Sequence, residues 1–278
     1  MRAWECLIVA TISWLTLKEG VDDGVVLAVD YPFTGRPEAG FSELAGQLDL
    51  PYALLETVPP GNGTEAGMTA GDYLEWWLTD VRAAGRPVRA VLGFCAGSVY
   101  AAALADRIAA EQKVAPKVVL FDPESPNAIT VYWQFHKVID GLGVVLRPEE
   151  VTAAQQAGQR ISEEVTDLTL LGERLLDVYR EAAETAFDRA GLDAVRREEF
   201  TATVTAFMSY LVAAAGIDAR DGWRTATAIS SGTATNGLNL VAAEERPGMV
   251  AEEIRFDLEH ADLLRTAEVA KAVTALIG

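Results

Sequence analysis

Apolar runs and amphipathic segments alternate through the first half of the chain. Continuous apolar runs, which are typical of buried strands, occupy residues 24–29, 52–58, 88–92 and 117–121. Apolar residues at helical spacing separate them and predict helices over 41–48, 69–84 and 98–112. This β-α rhythm predicts a mostly parallel sheet that is flanked by helices. Ligands of such sheets bind at the carboxyl ends of the strands.

The pattern changes between residues 127 and 225, where strand-like runs nearly vanish. Residues 149–190 are charged and amphipathic, and 197–215 form a second such segment. Strands return at 225–230 and 254–258, and a helix over 266–276 closes the chain. We expect residues 1–126 and 226–278 to form an α/β core. Residues 127–225 are expected to form a helical lid over the strand ends, with an ordinary helical subdomain as the alternative.

An apolar stretch near the N-terminus, residues 6–17, is rich in strand-forming side chains. It is too short to span a bilayer. No small-x-small cleavage pattern follows it, so we interpret it as one or two strands of the sheet rather than as a signal peptide.

Composition narrows the class of protein. The chain has 278 residues, of which 50% are hydrophobic, and carries a net charge of −18. Such an acidic surface repels phosphate backbones and anionic lipid, so we expect neither nucleic acid nor a membrane as a partner. The two cysteines, Cys6 and Cys95, predict no disulfide framework and fit a reducing cytoplasm. Two cysteines and two histidines without paired spacing predict no zinc site.

The most informative segment is Gly-Phe-Cys-Ala-Gly at 93–97, between an apolar strand and a helix rich in alanine. It has the form of a nucleophile elbow with cysteine as the central residue. Gly93 and Gly97 would allow the tight turn, and the helix N-terminus would favour a thiolate and lower the pKa of Cys95. A buried structural cysteine on a glycine-rich turn is the alternative.

A nucleophile of this kind needs a base, and the chain contains two histidines. His260 lies between the last predicted strand and the last helix, which is where the base of such a fold is expected. His136 lies among aromatic residues at the start of the helical insertion, and we interpret it as part of a partly buried aromatic cluster.

The base needs a carboxylate to orient it, and Asp122 directly follows the predicted strand 117–121. An aspartate before proline can also simply cap a turn. In many hydrolases the acid follows the next strand, but the segment 230–236 carries no carboxylate. This absence favours Asp122.

The oxyanion formed during acyl transfer needs backbone donors. The N–H of Ala96, directly after the nucleophile, is the first expected donor. The second is expected from the loop after strand 24–29, where we favour Phe33 over Thr34.

These motifs resemble the thioesterases of the α/β-hydrolase superfamily that are associated with polyketide and nonribosomal peptide synthetases. The resemblance rests on the elbow at 91–97, Asp-Tyr-Pro-Phe-Thr-Gly at 30–35, Asp122, the helical insertion and Glu-His-Ala-Asp-Leu-Leu at 259–264. It implies release of an acyl chain from the phosphopantetheine arm of a carrier protein, without a cofactor. Two departures stand out: cysteine replaces the usual serine, and the loop at 30–35 lacks the usual pair of glycines.

The cysteine changes the chemistry that we expect. A thiol that attacks a thioester forms another thioester, so the acyl group stays activated for an amine or for ring closure. A cysteine-dependent ester or lactone hydrolase of the dienelactone-hydrolase type is an alternative. A third possibility is an α/β-hydrolase-fold binding protein that has lost catalysis.

Overall fold

The computed structural model describes residues 13–31, 37–61, 63–65 and 67–278. Within these residues seven strands form one sheet in the order β1-β3-β2-β4-β5-β6-β7. The strands are β1 Trp14–Lys18, β2 Val25–Val29, β3 Ala53–Thr57, β4 Val88–Phe94, β5 Lys117–Phe121, β6 Thr227–Ser230 and β7 Glu252–Arg255. β1 pairs with β3 in antiparallel fashion, and every other neighbouring pair is parallel. The predicted, mostly parallel sheet is therefore confirmed.

Helices cover both faces of this sheet, and five of them lie between β5 and β6 along the chain. They are α1 Phe41–Ala45, α2 Ala70–Ala84, α3 Gly97–Glu111, α4 Ala128–Gly141, α5 Pro148–Glu164, α6 Leu168–Ala190, α7 Ala194–Ala214, α8 Arg220–Trp223 and α9 Ala267–Ile277. The ends of α2 follow from its sequence. The Thr69 side chain accepts a hydrogen bond from the N–H of Asp72, and Gly85 ends the helix in the left-handed conformation.

The core has two layers because successive strand residues point to opposite faces of the sheet. Val25, Leu27 and Val29 of β2 pack on the side that carries α2, α3 and the helical insertion. Val26 and Ala28 pack on the side of α1 and α9. β2 is buried along its whole length, as its continuous apolar run predicts.

Helices α4 to α8 occupy the stretch that the sequence predicts to be helical, and two hydrogen bonds join them to α3. The Tyr100 hydroxyl donates to the carbonyl oxygen of Tyr210 in α7 at 2.9 Å. The indole N–H of Trp223 in α8 donates to the carbonyl oxygen of Ser98 at 3.3 Å. The insertion is thus attached to the helix that begins beside Cys95. Its division from the core at residues 127 and 225 stays a prediction.

Some segments differ from the sequence-based expectation. The segment 149–190 is two helices, because Val165 has extended backbone and Asp167 caps α6 by accepting the N–H of Leu170 at 2.8 Å. β7 begins and ends earlier than predicted, since its pairing with β6 joins Thr227 to Glu252. The part of the predicted first strand that precedes residue 13 lies outside the described residues. No helix within the described ranges is long and apolar enough to cross a membrane.

Candidate active site

Cys95 occupies a sharp turn between β4 and α3. Its φ of 50° lies in the left-handed region, which is strained for a residue with a side chain. The turn requires glycine at position 97, since a Cβ there would overlap the carbonyl oxygen of Val29 in β2. At Gly93 a Cβ would lie 2.7 Å from the Cβ of Ala101 in α3. The two glycines of the motif thus allow the strand and helix to approach each other as the sequence suggests.

Asp122 and His260 are joined by a short hydrogen bond, with 2.7 Å between the Asp122 Oδ2 and the His260 Nδ1. Both residues are buried. A carboxylate only accepts hydrogen bonds, so the contact places the proton on Nδ1 and leaves Nε2 with the lone pair of a base. The structure therefore brings together two residues that are separated by 138 positions in the chain.

The backbone around Asp122 is built to present its carboxylate. Its φ of 40° is the second positive value among the non-glycine residues that the structure describes, after that of Cys95. The N–H of Ser231 donates to Oδ1 at 2.8 Å, so each carboxylate oxygen has its own donor. Gly237 packs against this turn, where a Cβ would lie 2.7 Å from the Asp122 Cα. Position and orientation of the acid are thereby fixed from two sides.

The thiol of Cys95 contacts a carboxylate instead of the imidazole. Its Sγ lies 3.7 Å from the Glu124 Oε2, which accepts a hydrogen bond from it. Burial, and then the negative charge of Glu124, raise the pKa of Cys95 well above its ordinary value. The Ala96 N–H lowers the pKa by a smaller amount. The expectation of a depressed pKa from the helix N-terminus is thus wrong, because burial and Glu124 outweigh the helix end.

A cavity of about 810 Å³ opens above the elbow. Its floor includes Cys95, Ala96 and His260, together with Asp30 and Tyr31 after β2. Helices α4, α6 and α7 form its walls, largely with apolar and aromatic side chains that include Val138, Tyr179, Phe187, Val204, Phe207, Tyr210 and Leu211. Pockets of this size and character bind small molecules or the acyl parts of larger ones. The helical insertion therefore supplies most of the wall around the candidate nucleophile.

The remaining residues suggested by the sequence fall in different places. Ala96 lies on the cavity floor beside Cys95. Phe33 and Thr34, the expected second oxyanion donors, lie outside the described residues. His136 lies in the aromatic cluster that the sequence predicts, with its ring centroid 5.1 Å from that of Trp133. In the part of the chain that is described, no group of three or more His, Cys, Asp or Glu side chains could hold a metal ion.

Sequence reasoning missed two polar groups at this site. Glu124 follows Asp122 by two residues, but its contact with Cys95 depends on how the loop after β5 folds back. Tyr210 lies in α7 and lines the cavity, and its buried hydroxyl has no hydrogen-bond partner among the described residues. The Asp-Pro-Glu sequence at 122–124 could have suggested Glu124 as a group near the site. Nothing in the sequence pattern of α7 distinguishes Tyr210 from its neighbours.

Comparison with known proteins identifies the fold. No protein-family model matches the chain, and no curated protein matches it by sequence. Solved structures do match over nearly the whole length. The NocB thioesterase domain from the nocardicin cluster has a TM-score of 0.55 and 16% identity, covering 96% of this chain and 99% of that one. The Vlm2 thioesterase domain bound with a dodecadepsipeptide has a TM-score of 0.53 and 19% identity, covering 96% and 98%.

Other enzymes share the same architecture. An acetylester hydrolase from Corynebacterium glutamicum matches with a TM-score of 0.51 and 11% identity, over 95% of this chain and 89% of that one. With the sheet order and the flanking helices, these similarities show that the chain has the α/β-hydrolase fold.

Proposed function

We propose that this protein is a thioesterase-like acyltransferase in natural-product biosynthesis. It takes an acyl or peptidyl chain from the pantetheine thioester of a carrier protein and holds it as a thioester on Cys95. Water, an amine or a hydroxyl of the chain itself then releases the acyl group. The observation that carries the proposal is the strained elbow at Cys95, which opens into a cavity that is also lined by His260, the partner of Asp122.

Each residue has a role in the proposed cycle. The Cys95 thiol leaves Glu124 and gives its proton to His260 as the sulfur attacks the thioester carbonyl. Asp122 orients His260 and stabilises the imidazolium. The Ala96 N–H, with Phe33 as the expected second donor, stabilises the oxyanion. Collapse of the tetrahedral intermediate expels the pantetheine sulfur, which takes the proton from His260.

The shape of the cavity supports a bulky, largely apolar acyl group. Its volume of about 810 Å³ and its apolar walls suit an extended acyl or short peptidyl chain. Two solved structures of similar fold also support a peptidyl or acyl ligand. One is the Vlm2 thioesterase domain bound with a dodecadepsipeptide, and another is the NocB thioesterase domain in covalent complex with a fluorophosphonate nocardicin G analog.

The identity of the nucleophile favours transfer over hydrolysis. Exchange of one thioester for another conserves the activation of the acyl group, whereas a serine nucleophile would form a more stable ester. An acyl-Cys95 intermediate therefore retains enough driving force to form an amide or a strained ring.

A second candidate is a cysteine-dependent hydrolase of small esters or lactones. The similarity of fold to the acetylester hydrolase favours it, and its site would use the same three side chains. The two functions differ in their leaving group, because the thioesterase requires a pantetheine thiol and the ester hydrolase an alcohol.

Intact-mass spectrometry tests the proposal directly. The protein is incubated with octanoyl-pantetheine and, separately, with the octanoyl ester of an alcohol of similar size. We expect the protein to gain the mass of one octanoyl group from the thioester. This added mass should be absent in the Cys95→Ala variant and present in the matched control Cys6→Ala. A mass acquired from the ester alone would favour the ester hydrolase. No adduct and no turnover with either substrate would favour the non-catalytic binding protein.

A further inference from the structure

The loop after β5 holds a carboxylate beside the nucleophile. The backbone N–H of Glu124 donates to the carbonyl oxygen of Cys95 at 3.3 Å, which ties the loop to the elbow itself. Pro123 and Pro126 flank Glu124 and stiffen this connection. The carboxylate is therefore held close to Sγ by covalent and hydrogen-bonded structure that does not depend on a bound substrate.

Both carboxylate oxygens of Glu124 accept hydrogen bonds from neutral donors. Oε1 accepts from the hydroxyl of Thr130, in the first turn of α4, at 2.9 Å. Oε2 accepts from the Cys95 thiol at 3.7 Å. Among the described residues no lysine or arginine forms an ion pair with Glu124, so this half-buried negative charge has no cationic partner there.

Acylation of Cys95 would remove one of these two donors. A thioester sulfur has no proton, so Oε2 would lose its hydrogen bond at the moment the acyl-enzyme forms. A partly buried carboxylate that loses a donor is destabilised until another donor replaces it. The vacated position adjoins the Cys95 sulfur, and the two donors to Glu124, Cys95 and Thr130, both line the cavity.

The charges around the sulfur indicate which donor fits best. Asp30 and Asp122 act on Sγ together with Glu124, and all three raise the pKa of the thiol. Lys137 and Arg196 also line the cavity, but the three groups that act on the sulfur through their charge are carboxylates, which attract a cation more strongly than a neutral water or hydroxyl. Asp122 already binds His260, which leaves Glu124 as the carboxylate whose donor is lost on acylation.

We propose that Glu124 binds the acyl acceptor and that this acceptor is an amine, which enters the cavity as an ammonium ion. The inference rests on the proposed acyl-Cys95 intermediate and specifies what consumes it. One ammonium proton passes to Glu124 and from there to solvent, and the freed amine nitrogen attacks the thioester carbonyl. As the C–N bond forms and the C–S bond breaks, His260 takes a second proton from nitrogen and returns it to Sγ. The products are an amide, the free thiol and one released proton.

A competition between two acceptors of the same length tests this assignment. Octanoyl-pantetheine supplies the acyl group, and butylamine and butan-1-ol compete for it while hydrolysis is measured in the same reaction. Glu124→Gln keeps the shape of the side chain and its bond with Thr130 but removes the charge. We expect the ratio of amide to ester product to fall about tenfold, the effect of one lost charge-assisted hydrogen bond. Hydrolysis through acyl-Cys95 should continue.

The matched control is Glu164→Gln at the exposed end of α5, which should leave the product ratio unchanged. Formation of acyl-Cys95 by the Glu124→Gln variant shows that its site is folded. If acyl-Cys95 forms in both proteins and the ratio stays the same, Glu124 does not select the acceptor, while the proposed function stands. If no acyl-Cys95 forms in the unaltered protein, both the proposed function and this inference are overturned.

Discussion

The imidazole of His260 stacks on the phenyl ring of Phe94, with 4.8 Å between the ring centroids and 15° between their planes. Phe94 is the last residue of β4 and directly precedes Cys95. The backbone N–H of His260 is also held, by the hydroxyl oxygen of Thr233 at 2.8 Å. Ring stacking, the Asp122 contact and this backbone bond together fix the candidate base relative to the elbow.

Replacement of Asp122 by asparagine should separate the acid's electrostatic role from its structural role. Asparagine tolerates a positive φ and can still accept the Ser231 N–H, so the fold should persist. Its amide NH₂ would face Nδ1 and favour the wrong tautomer of His260. By analogy with serine triads, we expect turnover of acyl-pantetheine to fall by on the order of 10³- to 10⁴-fold. Steady-state kinetics beside thermal unfolding check this, and an equal loss of folded protein would contradict it.

Glu124 should control the ionisation of Cys95. Because its negative charge contributes to the raised pKa of the thiol, Glu124→Gln should lower that pKa and increase the thiolate fraction at any given pH. The rate of alkylation by iodoacetamide is measured between pH 6 and 10. As the pH increases, the rate for the Glu124→Gln variant should begin to rise at a lower pH than the rate for the unaltered protein. Both proteins carry Cys6→Ala so that only one thiol reacts. An unchanged pH profile would contradict the prediction and would show that the charge of Glu124 does not contribute to the raised pKa.

Gly97 should be irreplaceable in the elbow. The Cβ of an alanine there would overlap the backbone oxygen of Val29, which β2 holds in the sheet. We expect Gly97→Ala to lower the free energy of unfolding by about 1–3 kcal/mol. In the control Gly71→Ala, within α2, the nearest atom lies 3.5 Å from the new Cβ, and stability should rise by about 0.5 kcal/mol. Urea titrations compare the two, and similar effects of both variants would argue against the close approach.

Two neighbouring tyrosines should respond differently to loss of their hydroxyls. Tyr100 donates to the carbonyl oxygen of Tyr210 at 2.9 Å, so Tyr100→Phe should destabilise the protein by about 1 kcal/mol. The buried Tyr210 hydroxyl has no hydrogen-bond partner in the part of the chain that the structure describes, so Tyr210→Phe should be neutral or stabilising. Urea unfolding of the two variants measures the difference. A larger loss for Tyr210→Phe would mean that its hydroxyl has a partner in solution.

The local sequence predicts the elbow and the bounds of β5 because each depends on short-range rules, whereas the bounds of β6 and β7 differ from the prediction. Strand β5 has the predicted bounds, and the chain order of nucleophile, acid and histidine leads to the Asp122–His260 contact. The sequence places Glu124 two residues after Asp122, but the contact of Glu124 with Cys95 depends on the path of a loop that returns to the elbow. The predicted direction of the pKa shift of Cys95 was wrong because the sequence shows the helix end, but neither the burial of the thiol nor the facing carboxylate.

The positive φ values at Cys95 and Asp122 lower the stability of the fold at two residues of the proposed site. Glycine adopts such a conformation without the penalty of about 1–2 kcal/mol that other residues incur. Selection of variants for thermostability alone would therefore favour glycine at positions 95 and 122, and would yield a more stable protein that lacks the proposed nucleophile and the proposed acid. Side chains at two strained positions are what the proposed chemistry requires and what folding alone does not.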